Sequence, residues 1–462
     1  MLYLDQNASA LAMESSRVQR TLGRLAGRRP VASTGGPGLV VDRRGAKLRR
    51  MSASGEVEET LLLGAACSEV FSGPRLAKVL RPAVEHQLRA VEQLEKDEPW
   101  VPMSMHTSAG LPGPIADFLD CLEKELPWTG TDWFVNFQQE GSTAVWAGVE
   151  ALAHLYAKGP HPKCKNVATR PSTCIVGIGE SSYHGPKTTA LGQPAQPRWP
   201  NAPRTSGQAS YPLPPFEAEG AENGRYLEQF DAFLAENPDI GVFVFEPQWG
   251  SSRLACTWDP CLLKQVIDKC QQSGAYVLCD EIMCGLGRHG QGTLFLSRAW
   301  GLSPDAVTFG KSVSSGTFSL SGVAVGHGSE ALREAGARIQ QSHTYAASSA
   351  LAYLTATEIL KELPAWYNRA KTLGQMVPEL LAPLDEKFFR VCGQGLLWGV
   401  ELLKKVELTK LEEACYAEGV WPYIVASPLG FMITPPMDIE EVEFRQGVGA
   451  LRRVLRRLGA TD

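Results

Sequence analysis

Lys311 is the residue of this 462-residue sequence best placed for covalent chemistry. It stands in AVTFGKS (306–312), after a short apolar run that reads as a strand and a glycine. Thirty-one residues upstream a second apolar run, 274–279, leads straight into Asp280-Glu281. An amine at the end of a strand can condense with an aldehyde to form a Schiff base. A carboxylate near it can keep a ring nitrogen protonated, so that the ring accepts electrons from a carbanion. These are the two groups that pyridoxal-phosphate chemistry needs most. Taken singly, each has a plainer reading: Lys311 as a surface lysine, Asp280-Glu281 as a pair that ends a strand and caps a turn. Gly141-Ser142-Thr143 opens an apolar-periodic segment. It reads as a helix cap or as amides and hydroxyls holding a phosphate at a helix N-terminus. Tyr183-His184-Gly185 follows another strand-like run.

The elements that would position these residues alternate. Strands are expected over 173–178, 242–246, 276–280, 306–309 and 322–326, and helices over 142–156, 260–273 and 330–341. Such alternation calls for a mostly parallel sheet covered by helices. Residues 193–215, rich in Pro, Ser and Gly, read as one long loop. Ahead of this block, 76–94 has helical apolar spacing, and LVVDRRG (39–45) reads as a strand and turn. After it come helices over 346–363, from Pro364 to about 384, 408–418 and 439–458. Strands over 390–392, 396–402 and 431–434 are interleaved with them. The expected domains are an N-terminal arm with part of a small domain (1–100), a large α/β domain (101–350) and a C-terminal small α+β domain (351–462).

A chain 44% apolar and 21% charged is ordinary for a globular protein. A formal net charge of −5 leaves no basic footprint for nucleic acid. No apolar run approaches the ~20 residues of a membrane helix. The 11 cysteines are scattered, with no CxxC and no zinc spacing, so no metal is expected and a reducing, cytoplasmic setting fits. Residues 1–30 hold Arg17, Arg20, Arg24, Arg28 and Arg29. Asp5 and Glu14 weigh against a transit peptide and for a solvated arm.

Order and spacing together carry more than any single motif. Glu246-Pro247, Asp280-Glu281-Ile282, Gly285-Leu286-Gly287-Arg288, Pro304-Asp305 and Gly310-Lys311 follow one another. The set resembles the class-III aminotransferases of the fold-type I pyridoxal-phosphate enzymes, closely over 130–350. The resemblance implies a large domain with a mostly parallel central sheet and a small α+β domain from both chain ends. It implies pyridoxal 5'-phosphate as cofactor, Lys311 as Schiff-base lysine and proton shuttle, and Asp280 as partner of the ring nitrogen. Ile282 and Tyr183 match the residues on the two ring faces. Gly141 and Ser142 match the phosphate-binding pair. Thr344 matches a threonine that reaches the phosphate from a neighbouring subunit, which implies a homodimer. The reaction implied is amino transfer between an amine or amino acid and a keto or aldehyde acceptor.

The departures bear on substrate and reaction. Glu140 precedes the phosphate segment, Met283 takes a position often held by glutamine, and Tyr345-Ala346-Ala347-Ser348-Ser349 replaces a Phe-Gly-Gly-Asn-Pro run. Met432 stands where relatives often have an arginine for the substrate carboxylate. Arg253 is the alternative for that task; otherwise the substrate is an amine, or carries its carboxylate far from the reacting carbon. Glu246, Trp249 and Met432 are the candidate substrate residues, with Trp249 offering an apolar wall. Aminomutase, decarboxylase or racemase chemistry remains the alternative on the same fold. A non-catalytic partner subunit is the third reading.

Overall fold

The structure, a computed structural model, describes residues 39–51, 56–64, 69–100, 113–130, 132–165, 174–180, 182–185, 207–216, 221–326, 349–382, 384 and 387–460. Strands β1 (Leu39–Arg44), β2 (Lys47–Met51) and β3 (Val57–Leu62) form an antiparallel ladder. Gly45 sits in the turn between the first two at φ +59°, where a side chain would be strained. Helix α1 (Gly73–Glu95) follows with a proline in its first turn, where the missing N–H costs nothing. A short helix α2 (Pro114–Glu123) leads to the central sheet.

That sheet contains β4 (Phe134–Gln138), β5 (Ile175–Gly179), β6 (Gln208–Tyr211), β7 (Ile240–Phe245), β8 (Tyr276–Cys279), β9 (Ala306–Phe309) and β10 (Ser321–Val325). The spatial order is β4-β10-β9-β8-β7-β5-β6. Only β10 runs against the others. Every residue of β7, β8, β9 and β10 is buried, because helices cover both faces. Alternation along β7 divides its side chains. Val242 and Val244 join the cluster around Val145 and Leu152 of α3 (Gly141–Lys158). Phe243 and Phe245 join the opposite cluster, with Phe230 of α4 (Ala221–Glu236) and Leu263 and Val266 of α5 (Pro260–Ser273). Each such side chain is worth about 1.5–3 kcal/mol relative to exposure. Helix α5 has a complete set of end signals: the Asp259 side chain accepts from the Leu262 amide at 2.7 Å, Pro260 opens it, and Gly274 closes it at φ +103°.

A single-turn helix α6 (Leu296–Ala299) precedes β9. After β10 come α7 (Ala350–Glu362) and α8 (Tyr367–Leu381). The C-terminal sheet has the order β11-β12-β15-β14, all antiparallel, from β11 (Phe389–Gln394), β12 (Leu397–Leu402), β14 (Tyr423–Ala426) and β15 (Leu429–Ile433). Helix α9 (Leu408–Ala417) and the two-residue β13 (Val420–Trp421) lie between β12 and β14, and α10 (Glu441–Arg457) ends the described chain. Strand β13 pairs in parallel with β3, so both ends of the chain share one sheet.

Three expectations need comment. β6 forms inside the stretch read as one loop. β4 was not foreseen: it is an edge strand whose polar Asn136 and Gln138 are buried and hydrogen-bonded to each other at 2.6 Å. The helix expected over 330–341, and Thr344, lie outside the described residues. Among those described, no helix is long and apolar enough to cross a membrane.

Arg288 ties three parts of the molecule together. Its guanidinium, 1% exposed, donates to the carbonyls of Glu69 (2.8 Å), Leu396 (3.2 Å) and Pro435 (2.6 Å). Arg288→Met would leave three carbonyls unpaired, at ~1–3 kcal/mol each. The urea midpoint should therefore fall by the equivalent of at least ~3 kcal/mol. An unchanged midpoint would show that the guanidinium is replaceable.

Candidate active site

The sequence-marked residues converge on the carboxyl edge of the parallel strands, the place where open α/β sheets bind ligands. Asp280 follows β8 and is 6% exposed. Its Oδ1 accepts from the Thr308 hydroxyl at 3.0 Å and from the Ile282 amide at 3.1 Å. Its Oδ2 lies 2.8 Å from His184 Nδ1. Burial opposes a charged His184, but the hydrogen bond and charge of Asp280, with Glu246 beyond, outweigh it and raise the imidazole pKa. The pair is held on one side by a strand neighbour and on the other by the loop after β5.

Lys311 follows β9, the parallel neighbour of β8. It is half-buried, sits at φ +41°, and makes no hydrogen bond or ion pair with the other described residues. A left-handed lysine is uncommon and strained. Ile282 packs where two glycines leave room. A Cβ on Gly141 would lie 2.7 Å from Ile282 Cγ2, and one on Gly310 would lie 3.0 Å from Ile282 Cδ1. Helix α3 begins at Gly141 and Ser142, and among the described residues no side chain caps its first amides. Open amides at the start of an 18-residue helix favour an anion. The set fits pyridoxal phosphate: uncapped amides for the phosphate, a hydrogen-bonded carboxylate for the ring nitrogen, an unengaged amine for the aldehyde.

Glu246 follows β7 and is 5% exposed. It accepts from the amides of Gly250 (3.0 Å) and Tyr183 (3.4 Å) and from the Ser252 hydroxyl (3.4 Å). Burial raises its pKa, His184 lowers it and Asp280 raises it again. Tyr183 keeps its side chain 44% exposed. Glu281 points away from Asp280 and accepts from the amides of Leu296 and Ser297 at the start of α6. Burial pushes its carboxyl up to about 7 against the pull of those amides. Asp305 binds the Val277 amide (2.7 Å) and His161 (3.0 Å), bracing β8 from behind.

Two substrate candidates are placed differently from the sequence expectation. Trp249 is 1% exposed and stacks on Trp258 at 5.3 Å within the aromatic core. Met432 is fully buried among Leu254, Ala255, Cys284, Leu397 and Val425. Arg253, the alternative carboxylate grip, donates to the Pro214 carbonyl and lies over the Phe216 ring at 4.0 Å and the Trp249 ring at 4.6 Å. Two partners were missed. His184 and Thr308 stand 96 and 28 residues from Asp280 in sequence, and only the strand order unites them. The signal for His184 was its place after a strand.

The family model for aminotransferase class-III matches residues 103–455. The chain belongs to the class-III aminotransferases. Among curated relatives of this class-III aminotransferase, acetylornithine aminotransferase of Thermosynechococcus vestitus is 28% identical over 300 residues, covering 62% of this chain and 68% of that one. The 4-aminobutyrate aminotransferase of Escherichia coli is 29% identical over 228 residues, 46% of this chain and 51% of that one. Among solved structures, an (S)-enantioselective omega-transaminase from Thermomicrobium roseum superposes with a TM-score of 0.75 at 21% identity. That match covers 96% of this class-III aminotransferase and 98% of the other chain. The fold is thus that of the fold-type I pyridoxal-phosphate transaminases.

Proposed function

We propose that this class-III aminotransferase uses pyridoxal 5'-phosphate held by Lys311, and takes amino groups from amines or from amino acids whose carboxylate lies far from the reacting carbon. The juxtaposition that carries the reading is the His184–Asp280–Thr308 chain beside β8 and β9, with the Lys311 amine, unengaged among the described residues, two residues past β9. Bound pyridoxal phosphate would supply an electron sink for the carbanion formed at the substrate carbon. The residues do the rest. Asp280, fixed by His184 and Thr308, would hold a proton on the ring nitrogen. Lys311 Nζ would take the proton from the substrate carbon and return it two atoms away, across the transferred nitrogen. The amides of Gly141 and Ser142 would bind the phosphate, and Ile282 and Tyr183 would lie against the two ring faces. Thr344 would complete the phosphate site from a second subunit, making the enzyme a homodimer.

The substrate class rests on the two candidate carboxylate grips, Met432 and Arg253, neither of which offers a free fork. An arginine grips a carboxylate with a paired fork of hydrogen bonds, and a methionine packed in an apolar cluster offers none. Arg253 is engaged by Pro214 and by two rings. The comparison that tests this is 2-phenylethylamine against phenylalanine, one side chain with and without the α-carboxylate. Each is mixed with the cofactor-loaded protein without acceptor, and the cofactor spectrum and released carbonyl are followed. The amine should react faster by at least ~10-fold, the scale of one lost charged hydrogen bond. A faster reaction of phenylalanine would overturn the substrate class. Carbon dioxide release or racemisation without a keto product would overturn amino transfer.

A further inference from the structure

Helix α1 buries one side and leaves an apolar row on another. Its inner side packs on α7: Val79, Ala83 and Ala90 are buried, and Val79 joins the core cluster of Ala352, Tyr353 and Ala356. Arg75 and Lys78 both pair with Glu362 at the end of α7. Away from that contact, Arg81, Val84, Leu88, Val91 and Glu95 follow at intervals of three and four residues, so they form one row along the helix. All five are exposed, Val84 at 51%, Leu88 at 57% and Val91 at 41%. Single exposed apolar residues are ordinary, but a contiguous row of large ones marks an interaction surface.

The row is complementary to its own reverse. Leu88 is the midpoint; Val84 stands four residues before it and Val91 three after, while Arg81 and Glu95 stand seven residues to either side. Two copies laid antiparallel across a two-fold axis at Leu88 bring Leu88 onto Leu88, Val84 beside Val91, and Arg81 onto Glu95 at both ends. A parallel pair would oppose like charges at both ends, which is unfavourable. Within one chain Arg81 and Glu95 are fourteen residues apart, about 21 Å along the axis, and cannot meet. Neither makes an ion pair with another described residue. On one border Leu94, 47% exposed, widens the apolar area. On the other, Glu85 and Glu92 lie within about one turn of Arg89, which offsets part of their charge.

We propose that the outer face of α1 docks a second copy of this chain, helix against helix, antiparallel about a two-fold axis at Leu88. A closed two-fold contact uses the same patch on both partners, and a self-complementary row provides that. The partner must present an anion opposite Arg81, a cation opposite Glu95 and branched apolar side chains between them at the same spacing. Helix α1 itself meets all three demands. A lone helix pair lies at the small end of specific interfaces, so the association depends on protein concentration. The contact uses no residue of the cofactor site.

Sedimentation of the full chain over a range of concentrations, with variants of the row, tests this. Leu88→Glu, at an exposed position, should keep the parent's thermal midpoint and sediment at half the parent's mass at high concentration. Arg81→Glu and Glu95→Arg should each weaken association at least ~10-fold, since each reverses two pairs. The two changes together should restore it, and because the residues cannot meet within one chain, only a partner can produce that rescue. In Leu88→Cys, mild oxidation should link two copies of the peptide bearing position 88, found by mass spectrometry. Parent and Leu88→Glu of equal mass at every concentration would overturn the proposal and leave the face to a different protein. A double variant no better than the single ones, or an introduced thiol that stays free or bridges elsewhere, would overturn the antiparallel pairing at Leu88. Mass and cross-linking need neither cofactor nor turnover, so the outcome stands apart from the amino-transfer reading.

Discussion

Asp280→Asn should leave a folded protein that still takes up pyridoxal phosphate but performs amino transfer at least ~10³-fold more slowly, ~4 kcal/mol in the barrier. The substitution keeps shape and most bonds. An asparagine oxygen can accept from Thr308 and Ile282 as Oδ1 does now, while its amide group turns to His184. A neutral imidazole can accept that hydrogen at Nδ1. The change therefore falls on charge: the group that keeps the ring nitrogen protonated becomes neutral. Single-turnover kinetics on the loaded protein separate this effect from weaker binding. A variant with near-normal turnover would remove Asp280 from the chemistry.

Lys311→Ala is the second large effect expected. Amino transfer should fall by at least ~10⁴-fold, since covalent tethering and proton transfer are lost together. Stability should change little. The amine has no partner among the described residues, and alanine at φ +41° carries the same kind of strain as lysine. Thermal unfolding and turnover measured on one preparation test both halves. Turnover within tenfold of the parent would mean that another group moves the proton; a collapse of stability would mean that Lys311 holds the fold.

How much of this was legible follows from burial. Strands β7, β8 and β9 lie between two helical layers, so they are apolar but for Thr308, and a charged residue at the end of such a run stands out. Asp280 and Lys311 were visible for that reason. His184 and Thr308 were not, because their role depends on which strands become neighbours. The edge strand β4 hid behind its amides, which look polar in sequence and are buried and hydrogen-bonded to each other in the fold. Trp249 shows the converse failure. It stands two residues after the Glu-Pro motif, yet its ring turns inward onto Trp258, and chain position alone does not say which face a side chain takes. Met432 likewise reads as a missing arginine in the chain and as an apolar core residue in the sheet.

The central claim is that Lys311 is the residue that bonds the cofactor. Borohydride reduction of the protein loaded with pyridoxal phosphate fixes that bond, and peptide mapping locates it. A single pyridoxyl adduct is expected on the peptide containing Thr308–Ser312, borne by Lys311 and lost in Lys311→Ala. An adduct on any other lysine, or none after loading, would contradict it.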